Sequence, residues 1–221
     1  GAVLIDARKL KADLQLYFNE AIMQGVTPET MFRQILAEID EALTDGGVRF
    51  DFVGFDACLM ATTENALMLT KYADYMIASE ETEPGIGWYY TDWLTKLSKN
   101  TSMPTVELGR EIIDDFVETC ARKCPGQATT LSIVDLAEAE ATIPEALQAF
   151  SEDTCDMIRD SQYAKVSNAR SGSREFGSSS RIDQVDLTHL ALNLGTSEGE
   201  ALADAIRSAV KYNRTSSNMT N

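Results

Sequence analysis

Cys58 is the side chain best suited to covalent chemistry in this sequence. It follows Arg49-Phe-Asp-Phe-Val-Gly-Phe55, a short apolar run rich in β-formers that predicts a strand, and it precedes a helical stretch reaching about Tyr72. Strand ends of open α/β sheets are where ligands and catalytic groups gather. A thiol held there can use backbone N–H groups of the turn to support a thiolate and a developing oxyanion. The competing reading is a buried structural cysteine. A nucleophilic thiol also needs a base, and the single histidine is His189, in Val185-Asp-Leu-Thr-His-Leu-Ala191. A lone histidine on an amphipathic helix more often packs or faces solvent than catalyses.

The other cysteines, Cys120, Cys124 and Cys155, are too irregularly spaced for a disulfide scaffold, and no CxxC pair suggests zinc. Cys120 and Cys124 lie four apart near a predicted helix end, where a metal or a bridge competes with plain burial. The net charge is −16, from 19 Lys plus Arg against 35 Asp plus Glu, so the long-range field repels nucleic acid and anionic membrane surfaces. It would attract a cationic substrate or Ca2+, although an acidic surface also simply keeps a protein soluble. No run is long and apolar enough for a membrane span, and the opening residues do not read as a signal peptide.

The elements that must position Cys58 follow from hydrophobic period. Helices are predicted over about Asp6 to Gln24 and from Thr27 to the Gly46-Gly47 stop. After the strand before Cys58 and its helix, Ala73 to Ser79 supplies a second strand, and strand, helix and strand in this span describe a βαβ crossover with parallel strands. Helix is expected over Trp88 to Leu97, from Thr105, and through Ala139, Ile143, Leu147 and Phe150, with a strand at Thr129 to Val134. Ser167 to Arg181 reads as an exposed loop that offers Arg170, Arg174 and Arg181 to proteolysis. A last helix is expected over Glu198 to Tyr212, followed by a patternless tail. With 44% hydrophobic and 24% charged residues, the 221 residues predict one α/β domain.

Phe52-Val-Gly-Phe-Asp-Ala-Cys-Leu-Met60 and Ala73-Asp-Tyr-Met-Ile-Ala-Ser-Glu-Glu-Thr-Glu-Pro-Gly-Ile-Gly-Trp88 resemble the core of clostripain-like cysteine peptidases. A weaker likeness continues through Thr130 to Leu136, Asp183 to Leu187 and Ala209 to Asn213, while the first 48 residues match poorly. The resemblance implies a caspase-like fold, related to legumain and gingipain, with a mostly parallel central sheet flanked by helices on both faces. It implies a Cys-His dyad that cuts after Arg or Lys, with Cys58 as nucleophile. Asp56 falls on the acid that lines the pocket for the basic P1 side chain, where a carboxylate pairs well with guanidinium. The alternative for Asp56 is a helix cap or turn tie. Ser79, Glu81 and Trp88 join Asp56 as substrate-binding candidates: Ser79 as a wall, Glu81 within the run Glu80, Glu81 and Glu83, which by itself reads as solvated. Trp88, Tyr89, Tyr90 and Trp93 cluster nearby, and aromatic clusters are more often core than subsite.

Two positions depart from the family pattern. Ile86 stands where many relatives carry an acid, which implies a less acidic pocket. The family's catalytic histidine lies upstream of the cysteine in a His-Gly context that is missing here. The chain is therefore expected to be one portion of a processed enzyme, spanning 1–221 and lacking the upstream histidine segment and a C-terminal region. Its partner would be a light chain of the same precursor that carries the histidine. No cofactor is required by this chemistry; the resemblance permits Ca2+ dependence, and it implies an extracellular or periplasmic location. A relative that has lost catalysis and binds basic peptides is the alternative.

Overall fold

The strand before Cys58, Phe50–Gly54, is β-rich, half-buried at Phe50, Phe52 and Val53 and exposed at Asp51 and Gly54, and it ends before the polar turn at Asp56. The computed structural model describes residues 49–178, 182 and 184–219, together with 30, 33, 34 and 37. The chain divides into two units, Gly1–Phe50 and Asp51–Asn221. In the first, Thr30, Arg33, Gln34 and Ala37 are helical, as expected of the segment after Thr27; the helix predicted over Asp6 to Gln24 lies outside the described residues.

The strand β1 (Phe50–Gly54), in the second unit from Asp51 on, is followed there by α1 (Thr63–Leu69), β2 (Ala73–Ala78), α2 (Tyr90–Lys99), α3 (Thr105–Lys123) and β3 (Thr130–Asp135). Then come α4 (Leu136–Arg159), α5 (Tyr163–Ser171), the short strands β4 (Glu175–Phe176) and β5 (Gln184–Val185), α6 (Leu187–Leu194), α7 (Ser197–Ala209) and β6 (Val210–Thr215). The main sheet has the order β1-β2-β3-β6, and β4 and β5 form a separate antiparallel pair. Side-chain alternation splits the sheet's two faces. Ile77, Leu131 and Ile133 point to one face and are buried with Leu108, Ile112, Ile113 and Phe116 of α3. Met76 and Val134, paired in register, point to the other, which α1, α4 and α7 cover.

The α/β class, with helices on both faces, holds, but strand direction is more mixed than expected. Phe55 N–H, just past the end of β1, donates to Ile77 O near the end of β2 at 2.9 Å, so these two strands run the same way around the α1 crossover. The β2–β3 and β3–β6 ladders are antiparallel. The reason is the number of helices between strands. One helix returns the chain to the starting end, whereas α2 and α3, joined by a short loop and tied by Lys96 to Glu111 and Asp115, form a hairpin that delivers β3 to the end where β2 finished.

Two local expectations are corrected. Ser167 to Ser171 is helical, and Glu175–Phe176 is a strand, because Ser173 and Phe176 are buried under long-range contacts invisible to local composition. The last helix ends at Ala209, and Val210–Thr215 is a strand: pairing with β3, together with Tyr212 and Arg214 on Asp114, overrides the helical reading.

The covering helices approach closely at Gly199, where an added Cβ would lie 2.2 Å from the Ala191 carbonyl oxygen. Gly199→Ala must push α7 off α6. Overpacking of this kind costs about 2–3 kcal/mol, so the urea midpoint should drop while the slope stays constant.

Candidate active site

The loop from Phe55 to Thr62 leaves β1 and is laced to the loop leaving β2. Leu59 N–H donates to Glu81 O at 3.2 Å, and Ala61 N–H to Ser79 O at 2.9 Å. Leu59 holds a φ of 62°, an uncommon conformation for a branched residue and a point of stored backbone strain directly after the thiol. Thr62 caps α1 by accepting from Asn65 N–H, so Asp56 has no capping duty there.

Cys58 is exposed at the carboxyl end of β1. Its Sγ accepts the Glu83 N–H at 3.2 Å and lies 3.8 Å from the Glu83 carbonyl oxygen. The N–H that meets the sulfur comes from the neighbouring loop, not from the turn that carries the cysteine. Of the remaining cysteines, which are also free, Cys120 is buried, and burial pushes its thiol up to about 12, an inert state; Cys124 and Cys155 lie on α3's end and on α4.

Asp56 faces the same loop. Its Oδ1 accepts Trp88 N–H at 3.0 Å, and its Oδ2 accepts the Tyr90 hydroxyl at 2.9 Å. The approach is close enough to require glycine at 87: φ there is +63°, and a Cβ would come within 3.0 Å of both Asp56 oxygens. Burial, helped by Asp56, pushes the Tyr90 hydroxyl up to about 12, so it remains a donor at neutral pH.

Trp88 is buried, with its ring against Gly54 and its indole N–H on Glu83 Oε1 at 3.3 Å. With Trp93 it belongs to the hydrophobic core under α3, while Tyr90 is exposed beside it. Ile86 is 44% exposed and places no charge here. Burial pushes the Glu83 carboxyl up to about 8; the Trp88 indole opposes this, and the nearby Asp56 carboxyl reinforces it.

Ser79 and Glu81 are brought to this loop, but their polar atoms are spent inside the protein. Ser79 is fully buried; its hydroxyl donates to Glu81 O at 2.8 Å and shares a hydrogen bond with Thr130 at 3.1 Å. Glu81 Oε1 accepts from Thr82 N–H at 2.7 Å and from Gly177 N–H at 3.0 Å, tying the β4 strand's end to the site. Both residues brace the loop that carries Glu83. Glu80, whose carboxyl burial raises, accepts from Ser132 Oγ at 2.6 Å. His189 uses Nδ1 to accept Arg174 N–H at 3.1 Å and follows the Asp186 cap of α6. Residues missed at the sequence level are Glu83 as the thiol's partner and Tyr90 as Asp56's. The signal for both was the Pro84-Gly85-Ile86-Gly87 turn, which folds the loop back with Gly87 N–H on Pro84 O.

Among the described residues no three His, Cys, Asp or Glu side chains converge as a metal ion would need, so no Ca2+ ligands are assigned. Nor, among them, is any helix long and apolar enough to cross a membrane.

The helix-flanked sheet, with an exposed thiol at the end of β1, shares the caspase-like fold of solved C11 cysteine proteases. Three solved structures of similar fold are each below 25% identical to this chain. A clostripain from Bacteroides thetaiotaomicron ATCC 29148, in complex with the peptide inhibitor BTN-VLTK-AOMK, shares 15% identity at a TM-score of 0.52, covering 82% of this chain and 74% of that one. An inactive zymogen C11 protease from Parabacteroides distasonis shares 19% at 0.55, covering 82% and 48%. A secreted C11 cysteine protease from Bacteroides thetaiotaomicron shares 14% at 0.59, covering 82% and 47%. The chain thus spans about half the length of the last two. No curated protein matches. The clostripain family model matches residues 29–218, and the chain belongs to that family.

Proposed function

We propose that this chain is the nucleophile-bearing part of a cysteine endopeptidase that cleaves after Arg or Lys, its histidine supplied by a separate upstream light chain after internal processing. The observation that carries the reading is the exposed Cys58 Sγ at the end of β1, facing the Glu83 N–H, two residues from a carboxylate clamped at the same loop. The partner histidine takes the thiol proton, and an N–H aimed at the sulfur favours negative charge on it. The thiolate then attacks the carbonyl carbon after the basic residue, with backbone N–H groups holding the oxyanion. The histidine returns its proton to the departing amine, and water hydrolyses the thioester. The Asp56 carboxylate holds the P1 cation.

The reaction as written consumes no cofactor. The inhibitor bound by one relative carries the peptide VLTK, which ends on a basic residue, and another relative is an inactive zymogen; both support the finer reading. A third is secreted, and we place this protein outside the cytoplasm as well.

The test is hydrolysis of reporter peptides ending in Arg, Lys or Asp by the complete processed protein under reducing conditions. Cleavage after Arg and Lys, lost on thiol alkylation, is expected. No turnover of any reporter, in material whose histidine-bearing chain is seen by mass spectrometry, would instead support a binding module for basic peptides.

A further inference from the structure

The loop between β2 and α2 joins the thiol to the acid of the pocket through one residue. Glu83 offers its main-chain N–H to Cys58 Sγ at 3.2 Å and turns its side chain toward Asp56. Trp88 clamps both carboxyls: its backbone N–H holds Asp56 Oδ1 at 3.0 Å, and its indole N–H holds Glu83 Oε1 at 3.3 Å. The other oxygen, Glu83 Oε2, is buried and accepts no hydrogen bond. A buried carboxylate oxygen without a donor is costly. It finds a partner in one of two ways. In an empty pocket it carries a proton and donates to Asp56; in a filled pocket it accepts from a cation.

We propose that Glu83 is a specificity-determining residue that supplies the second carboxyl of the P1 pocket, holding a proton against Asp56 when the pocket is empty and releasing it to solvent when a basic side chain enters. This rests on the reading of the site as a peptidase for basic P1 residues. It also accounts for Ile86: the acid expected at that position is missing, and 44% of Ile86 is exposed, while Glu83 brings a carboxyl in from the start of the same turn. The titratable groups facing Glu83 are Asp56 and Cys58 on the loop after β1, Tyr90 on α2 and Cys120 on α3. Burial and Asp56 hold the Glu83 proton up to about 8, so below that pH a cation must displace it, and the preference for a basic P1 weakens as pH falls.

The experiment compares, with the processed enzyme, kcat/KM for an Arg reporter and for its neutral isostere citrulline between pH 6 and 9. Titration of the nucleophile and base is common to both substrates and cancels in the ratio. In the wild type the Arg/citrulline ratio should climb by up to about tenfold per pH unit and level off above about pH 8. Glu83→Gln should lower the plateau about tenfold or more and flatten the profile, while Glu83→Asp, which keeps an acid, should retain a slope. A wild-type ratio that is flat across this range, or a Glu83→Gln profile with an unchanged slope, overturns the inference. If Glu83→Gln does not fold, the wild-type profile decides alone. Absence of Cys58-dependent cleavage after Arg at every pH sinks the peptidase reading, and this inference with it.

Discussion

Replacing Cys58 by alanine is expected to lower kcat/KM for Arg and Lys reporters by about 10^4-fold or more. In the proposed mechanism the thiol forms the covalent bond to the substrate, and nucleophiles removed from acyl-transfer sites typically cost that much. The fold should not notice. The side chain is exposed, its two polar contacts are to one main-chain residue, and the strained turn at Leu59 is held by Glu81 O and Ser79 O, not by the sulfur. Thermal unfolding of Cys58→Ala should therefore fall within about 0.5 kcal/mol of the wild type. Near-wild-type turnover in a correctly folded variant would move the nucleophile elsewhere, with Cys155 the next exposed thiol to test.

Asp56→Asn should reduce kcat/KM for Arg and Lys reporters about a hundredfold or more, with little change for a neutral P1 residue. The substitution is isosteric, so the Trp88 N–H keeps its acceptor and the Tyr90 hydroxyl can accept from the new amide; what disappears is the charge. A structural role predicts a different pattern: equal losses for charged and neutral substrates, and a lower melting temperature. Measuring both substrate classes and the melt on one preparation separates the two. Thr62, not Asp56, caps α1, but Asp56 does tie down the loop carrying Trp88 and Tyr90, so the two measurements are what separate the roles.

The elements around the site were largely legible along the chain because each carries a local period or a local stop. Phe50–Gly54 and Ala73–Ala78 are β-rich runs bounded by polar turns, and α3 begins directly after Pro104 with its apolar residues at helical spacing. What failed were segments decided by distant partners. Val210 to Tyr212 continues the helical pattern and Asn213 to Thr215 carries none, yet Val210–Thr215 becomes a strand because β3 offers an edge to pair with. The direction of β3 depends on counting the helices of the hairpin between it and β2, which hydrophobic period does not report.

The same division runs through the site. Sequence alone determined that Cys58 stands at a strand end, that Asp56 stands two residues before it, and that the Pro84 to Gly87 turn follows the adjoining strand, since these are matters of residue type and short spacing. Only the tertiary structure decided that Ser79 and Glu81 are internal braces, that Trp88 is a core residue holding two carboxyls, and that Glu83 is the residue beside the thiol. The physical reason is that hydrogen-bond partners 25 to 96 residues apart are chosen by how two loops meet across the sheet's end, and that meeting is set by packing.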